Sequence, residues 1–398
     1  MELNLGHGFI PRIGESNYKA VDRCLGPTDL FSSEPLDLPW AIADGAWAEG
    51  RPELLDALRT HGTKLLVDTF GWKYRYGPTL DVAKLAATTW APRTPVNPSD
   101  GRSTRDLLVA SLRAQAALGS DAYLVPGWMP DDGLEDMRAS YANLFEAIAT
   151  FNDVPAKPYV LFVGGHTRGT ERTIALLNEV PHYFEAIYLQ LSPISPALDS
   201  PSKLEALTSV YSHASRLGFK VVAGHAGAIA PALRALGVDG ADAGLATAEA
   251  FNRSTARRPR LHPKEDGESR GGRRSRMYFN QIDRSLDASV VEQLLAVPGA
   301  AAELRGCRLP CHRFRSDNIL EQAREHSLFA RVIEAQLVTS LPASMRPTQA
   351  YERLRTQRST LATINSALEA SGLPPLDPKV LENRLSWISR TIAVDAAA

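Results

Sequence analysis

Two aspartates lie inside apolar runs of the chain, where a carboxylate is unexpected. Asp68 stands near the end of Lys64–Thr69, and Asp242 stands within Val238–Gly244. Aspartate is disfavoured in strand interiors, so each residue needs a reason to be there. A helix cap or a loop anchor would explain either one alone. Two such carboxylates at one end of a sheet form a candidate pair for catalysis.

Other polar residues and glycines follow predicted strands in the same way. In a closed barrel of parallel strands, catalytic groups project from the carboxyl ends of the strands and the loops beyond them. Phe70, Trp72, Tyr74 and Trp128 follow the third and fourth strands, where their rings would stack on a flat substrate or cap the core. The remaining residues selected by this rule are Gly164, Gly165, His166, Gln190, Ser192 and His225.

The elements that must position these residues alternate between short β-branched runs and longer helical segments. This alternation indicates a parallel sheet covered by helices. Two weaker runs, Leu3–Phe9 and Pro39–Asp44, bring the strand number to that of a (β/α)8 TIM barrel. An open doubly wound sheet stays possible, although no Gly-x-Gly-x-x-Gly fingerprint follows the first strand. The six clear runs are Lys64–Thr69, Asp121–Pro126, Tyr159–Gly164, Ala186–Leu191, Lys220–Gly224 and Val238–Gly244.

Three regions are predicted along the chain. Residues 1–252 form the catalytic barrel, 253–276 a basic loop, and 277–398 a helical C-terminal subdomain. The basic loop carries nine Lys or Arg against three acids and almost no apolar residues, which is typical of a solvated loop and compatible with phosphate binding. Its candidate nucleic-acid contacts are Arg257, Arg258, Arg260, Arg273, Arg274 and Arg276.

Composition limits the remaining classes. With 44 Lys and Arg against 45 Asp and Glu, the net charge of −1 excludes any argument for a polyanionic partner from overall charge. Three cysteines do not make a disulfide framework and favour a reducing compartment. The N-terminus does not resemble a signal peptide, and no apolar run approaches a membrane span. We therefore predict a cytoplasmic protein without membrane contact.

Four segments, in order, resemble the guanine transglycosylases. Leu65–Tyr74 is similar to the segment in which a strand ends in Asp before a small-Gly-aromatic turn, and Val163–Gly165 with Arg168 resembles the family's Gln-Gly-Gly loop. Gly224–Gly227 stands where the family has a Gly-rich loop before its last strand. Gly237–Asp242 resembles the family's Gly-Val-Asp-x-x-Asp. The resemblance covers about residues 60–250.

This resemblance implies a pentosyltransferase that works by double displacement at C1′ of a nucleotide. Asp242 would be the nucleophile that forms a covalent nucleic-acid intermediate, and Asp68 the general acid and base. Retaining glycosidases follow the same logic, with a carboxylate on one face of an oxocarbenium-like centre and a proton donor beside the leaving group. The substrate-binding residues it implies, with the aromatic positions, are Phe70, Trp128, Gly164, Gly165, His166, Gln190, His225 and Gly227.

The chain departs from the family in base recognition. Typical members have an Asp after strand four, where this chain has Leu124–Trp128, and Val163 replaces the Gln of Gln-Gly-Gly. Recognition would then fall to His166, Gln190 or the Asp131–Asp132 pair. This divergence favours the branch that inserts 7-deazaguanines into DNA, with tRNA as the alternative substrate. A barrel enzyme acting on a small metabolite and an inactive nucleic-acid-binding relative are the rival hypotheses, and a homodimer or a partner protein is compatible with each.

The family also has a structural zinc site of three Cys and one His. Here Cys307, Cys311, His312 and His326 would supply the four ligands that structural Zn²⁺ requires. The alternative is that this segment is a hydrogen-bonded helix start without metal.

Overall fold

A computed structural model describes residues 3–14, 17–25, 36–74, 87–129, 134–195, 199–245, 276–305 and 322–397. Eight parallel strands form its centre. They are β1 Phe9–Ile13, β2 Trp40–Asp44, β3 Lys64–Asp68, β4 Tyr123–Val125, β5 Tyr159–His166, β6 Ala186–Ser192, β7 Lys220–Ala223 and β8 Gly240–Ala243.

The strands close into a ring. Hydrogen bonding follows the order β3-β2-β1-β8-β7-β6-β5-β4. A parallel bridge between Leu66 and Ala122 then joins β3 to the start of β4. The predicted (β/α)8 barrel is confirmed, and the open doubly wound sheet is excluded because neither β3 nor β4 is a free edge.

Helices cover the outside of the barrel between successive strands. They are α1 Tyr18–Leu25, α2 Gly45–Ala48, α3 Pro52–Thr60, α4 Gly101–Ala117, α5 Leu134–Ala149, α6 Thr170–Leu177, α7 Pro201–Arg216 and α8 Ala230–Ala235. Caps set several of these starts: the Asp100 side chain accepts hydrogen bonds from the N–H groups of Arg102 and Ser103 at the start of α4.

The C-terminal part begins with a hairpin of β9 Arg276–Phe279 and β10 Arg284–Asp287. The α-helices described after it are α9 Ala288–Ala296, α10 Pro298–Arg305, α11 Ala323–Thr339, α12 Arg346–Ala370 and α13 Lys379–Ala397. Helix α11 packs against α1, α8 and β1. It therefore fills the eighth position of the barrel's helical layer, between the helices that follow β7 and β1.

The first predicted strand, Leu3–Phe9, is wrong. Gly6 and Gly8 have φ of +60° and +78°, so this segment turns, and the strand begins only at Phe9. A Cβ atom at Gly8 would lie 2.4 Å from the Arg234 side chain. The close approach of Arg234 therefore requires glycine at this turn. The correction moves Arg12 into the barrel strand.

Candidate active site

The upper layer of the barrel interior is built from residues at the carboxyl ends of the strands. Asp44 and Asp68 are register partners on β2 and β3, and Asp242 on β8 is the register partner of Ile10 on β1. Side chains alternate along a strand, so Arg12 shares the inward face with Ile10. Asp68 on β3 and Asp242 on β8 have two strands, β1 and β2, between them, and both side chains point to Arg12.

Arg12 joins the two aspartates. Its Nη1 donates to Asp68 Oδ2 at 2.7 Å, its Nε donates to Asp242 Oδ2 at 2.7 Å, and its Nη2 donates to the Tyr188 hydroxyl at 2.9 Å. The guanidinium also lies 5.8 Å from the ring centroids of Phe70 and Tyr188. The Arg12 side chain is 12% exposed, and both carboxylates are buried. The structure thus brings the predicted pair together through a cation that the sequence analysis did not select.

Each carboxylate is also held by a backbone N–H from a residue in the left-handed region. Phe70, at φ +53°, donates its N–H to Asp68 Oδ1 at 2.8 Å. His225, also at φ +53°, donates its N–H to Asp242 Oδ1. Such conformations cost free energy for residues other than glycine, and they concentrate where a site requires them. As a result, one oxygen of each aspartate accepts a hydrogen bond from a backbone N–H, and the other accepts one from Arg12.

At the carboxyl ends of the strands, which form the mouth of the barrel, the surroundings keep Arg12 charged and His225 neutral. Burial alone would lower the pKa of Arg12, but Tyr188 and the two carboxylates raise it well above its ordinary value. Burial lowers the pKa of His225 to about 4, against the opposing effect of Asp242. Burial raises the pKa of Asp44. His225 therefore serves as a neutral hydrogen-bonding group at physiological pH.

Tyr188, the third partner of Arg12, was also missed in the sequence. Burial raises the pKa of its hydroxyl well above the usual value, so it stays protonated. A side chain at Gly224 would lie 2.7 Å from the Tyr188 hydroxyl, so the glycine after β7 leaves room for this phenol. The signal for Arg12 was present, because an arginine within the apolar Phe9–Ile13 run requires a buried anion.

Three predicted substrate-binding residues lie around this layer. Phe70 and His225 hold the two carboxylates, and Gln190 shares the inward face of β6 with Tyr188. The Gln190 side chain is buried. These positions surround the pair, and their contact with a substrate stays a prediction.

The other predicted substrate-binding residues contact protein. Trp128 is 1% exposed, so its ring caps the core, the alternative left open above. Added Cβ atoms at Gly164 and Gly165 would lie 2.4 Å from the Trp128 carbonyl and 2.3 Å from Leu191. The Gly227 carbonyl accepts from Arg331 on α11, and His166 Nδ1 accepts from the Arg168 N–H.

The basic loop and most of the zinc ligands fall outside the described residues. These are Arg257, Arg258, Arg260, Arg273, Arg274, Cys307, Cys311 and His312, and the Asp131–Asp132 pair lies outside as well.

One predicted nucleic-acid contact and one predicted zinc ligand lie within the described residues. Arg276 begins β9 and pairs with Asp287 at 2.9 Å. His326 is buried in α11, with its ring 5.3 Å from that of Phe279. Among the described residues no three His, Cys, Asp or Glu cluster as metal ligands, and zinc stays a prediction. In the same part of the chain, no helix has the length and apolarity of a membrane span.

No protein-family model matches the chain, and a search of curated proteins finds no relative. Similar solved structures include an HpcH/HpaI aldolase from Desulfitobacterium hafniense DCB-2, with 14% identity over 60% of this chain and 86% of the aldolase and a TM-score of 0.31. A dihydrodipicolinate synthase from Bacillus anthracis has 10% identity over 96% of this chain and 98% of its own, with a TM-score of 0.32.

A third similar structure is a prophage protein of the dihydrodipicolinic acid synthase family from Escherichia coli K12 in complex with pyruvate. It has 11% identity over 96% of this chain and 97% of its own, with a TM-score of 0.33. None of the three is described as a guanine transglycosylase. At these values the likenesses indicate nothing about substrate, and the barrel assignment depends on the strand pairing itself.

A second buried polar cluster lies where β9 meets the C-terminal helices. The Tyr278 hydroxyl is 2.8 Å from Asp283 Oδ1 and 2.7 Å from Glu334 Oε2. A phenol has one proton, so it donates fully to only one of the two carboxyls at a time. Burial raises the pKa of Glu334 to about 7, with Arg353 opposing and Asp283 adding to the effect. Glu334 therefore binds a proton at a higher pH than an ordinary glutamate does.

The Glu334→Gln variant is expected to remove part of the pH dependence of stability. The pKa of Glu334 is higher in the folded chain, about 7, than its ordinary 4.5, so the folded state binds more protons in that interval. Its contribution is complete below pH 4.5 and is lost as the pH rises to 7, by up to about 3 kcal/mol. Urea unfolding from pH 4.5 to 7.5 should show the variant gaining stability relative to the wild type as the pH rises.

The exposed Glu352 on α12 provides the matched control, because Glu352→Gln should leave the pH slope unchanged. A Glu334→Gln difference that stays flat across this pH range would contradict the assignment of the proton to Glu334.

Proposed function

We propose that the protein is a base-exchanging transglycosylase, a pentosyltransferase that replaces a guanine in nucleic acid with a 7-deazaguanine. DNA is the favoured substrate and tRNA the alternative. The observation that supports this most is the convergence of Asp68 and Asp242 on one guanidinium at the carboxyl end of the barrel. Barrel enzymes place their chemistry at that end.

In the first half of the reaction, an oxygen of Asp242 attacks C1′ of the target nucleotide. The C1′–N bond breaks, its electron pair goes to the departing base, and Asp68 supplies the proton that the base requires. The product is an ester between Asp242 and the sugar, with Asp68 ionised. In the second half the incoming base loses a proton to Asp68 and attacks C1′, which releases Asp242 as a carboxylate.

The charge of the mouth fits an uncharged sugar and base better than a phosphate. Asp68, Asp242 and Asp44 face this layer, with Arg12 already paired to two of them. A phosphate placed there would lie beside carboxylates, so the nucleic-acid backbone must be bound outside the mouth. The basic loop at 253–276 is the proposed contact, and the target nucleotide would leave its stack to reach the carboxylates. In this proposal zinc has a structural role only.

Incubation of the protein with radiolabelled guanine and either duplex DNA or tRNA tests the proposal. We expect label in the polymer, and nucleoside mass spectrometry of DNA and tRNA from expressing cells should show a 7-deazaguanine in one pool. Label in neither polymer, together with no covalent adduct on a denaturing gel, would overturn the proposal. A barrel enzyme acting on a small metabolite would then be the better hypothesis.

A further inference from the structure

Arg12 is fixed in place by its contacts and by its strand. Three of its nitrogens donate to three different side chains, on β3, β6 and β8, from a position inside β1. Removing one partner from a buried ion pair leaves an uncompensated charge and is strongly destabilising. Displacement of the guanidinium by substrate would break its contacts with both carboxylates and leave the charged one without a partner. Arg12 must therefore remain between the carboxylates during the reaction.

We propose that Arg12 is a positioning residue that stabilises the movement of one negative charge from Asp242 to Asp68 within each half-reaction. This inference rests on the proposed base exchange. When Asp242 forms its bond to C1′, its negative charge disappears. When Asp68 gives its proton to the departing base, a negative charge appears there. One oxygen of each carboxylate contacts a different nitrogen of the same cation.

The charge balance explains why this arrangement favours the reaction. The proposed reaction starts from ionised Asp242, positive Arg12 and an Asp68 that carries the proton for the departing base, with a sum of zero. After attack the site consists of a neutral ester, positive Arg12 and ionised Asp68, again with a sum of zero. A buried site of low polarity penalises an uncompensated charge heavily. Because Arg12 has a negative partner in both states, neither state contains one.

The geometry requires an arginine. A planar guanidinium presents its donors along fixed directions and can bind two carboxylates at once, whereas a lysine ammonium is a single point charge on a flexible stem. Arg12→Lys should therefore keep the charge and lose the simultaneous contact. Tyr188→Phe should keep the ring and remove only the third contact of the guanidinium.

The test measures exchange of radiolabelled guanine into the polymer that the wild-type protein labels. For Arg12→Lys we expect kcat to fall about 10²-fold, the effect of losing one preorganised donor, with KM little changed. Guanidinium chloride at low millimolar concentration should restore Arg12→Ala at least about tenfold, and methylammonium should not, because only guanidinium presents donors along fixed directions to two carboxylates at once. Tyr188→Phe should lower kcat about three- to tenfold, the value of one hydrogen bond.

Thermal unfolding of every variant, with and without guanidinium, separates this role from a purely structural one. Rescue at an unchanged unfolding midpoint supports the proposal. Rescue that follows a rise in the midpoint, or full activity of Arg12→Lys, overturns it, as does an unchanged kcat of Tyr188→Phe if the Arg12 variants do not fold. Arg113→Ala, on the outer surface of α4, is the matched arginine control. A wild-type protein without exchange or adduct overturns the proposed function and this inference together, whereas an active wild type confines any failure to Arg12.

Discussion

Replacement of Asp242 by asparagine is expected to abolish base exchange, with a loss of about 10⁴-fold or more, the scale seen when a nucleophile is removed. The asparagine oxygen can still accept the His225 N–H, so the local backbone should hold. The amide, however, has no carboxylate charge with which to attack C1′. The initial rate of label incorporation measures the loss, and the covalent adduct should disappear from denaturing gels.

Asp153→Asn is the control, because Asp153 is exposed and pairs with Arg113 on the outside of the barrel. It should retain wild-type exchange. An Asp242→Asn protein that keeps its circular-dichroism spectrum and more than a tenth of wild-type activity would mean that Asp242 is not the nucleophile.

The Asp68→Asn variant should lose about 10²- to 10⁴-fold in activity on unmodified nucleic acid, the range for general acid–base catalysis. The loss should depend on the departing base. A 7-methylguanine already carries a positive charge and leaves without a proton from the enzyme. Single-turnover formation of the adduct should therefore be strongly impaired with guanine and only weakly impaired with 7-methylguanine in the same sequence.

Equal losses on both substrates would assign Asp68 another role, that of holding Arg12 beside Asp242. The wild-type protein on both substrates provides the reference rates. Asp153→Asn again controls for the loss of a carboxylate elsewhere.

The alternation of strands and helices, with a count of eight strands, predicted the barrel but left an open doubly wound sheet possible. Most strand ends were placed within two residues because β-branched runs were bounded by glycine and proline. The first strand failed because Leu3, Leu5 and Phe9 form an apolar alternation, while the left-handed Gly6 and Gly8 turn the chain. The spacing of apolar residues alone does not indicate the backbone φ angle of the residues between them.

The two aspartates could be selected because a carboxylate inside an apolar run is unusual wherever it occurs. Their shared partner Arg12 was missed because it lay beyond the end of the predicted first strand. Tyr188 looked like any aromatic residue of a buried strand, and its contact with Arg12 spans 176 positions of sequence. Side chains that act across a barrel are recognised only when the register of every intervening strand is known.

Glycine positions show the same limit. Gly164 and Gly165 were predicted to bind substrate because they follow the fifth strand and resemble the Gln-Gly-Gly loop of the guanine transglycosylases. The structure shows that the approaching groups are the Trp128 backbone on one face and Leu191 on the other. A glycine therefore indicates that something lies close, and only packing identifies what.

Helix α11 has a consequence for how the chain assembles during synthesis. Its Leu328 and Phe329 share a core with Phe9 and Ile13 of the first strand. The eight strands emerge from the ribosome before this helix does. Until α11 is synthesised, the apolar side chains of β1 that it covers lack that contact. A fragment that ended at residue 252 would lack the α11 side chains that pack on Phe9 and Ile13.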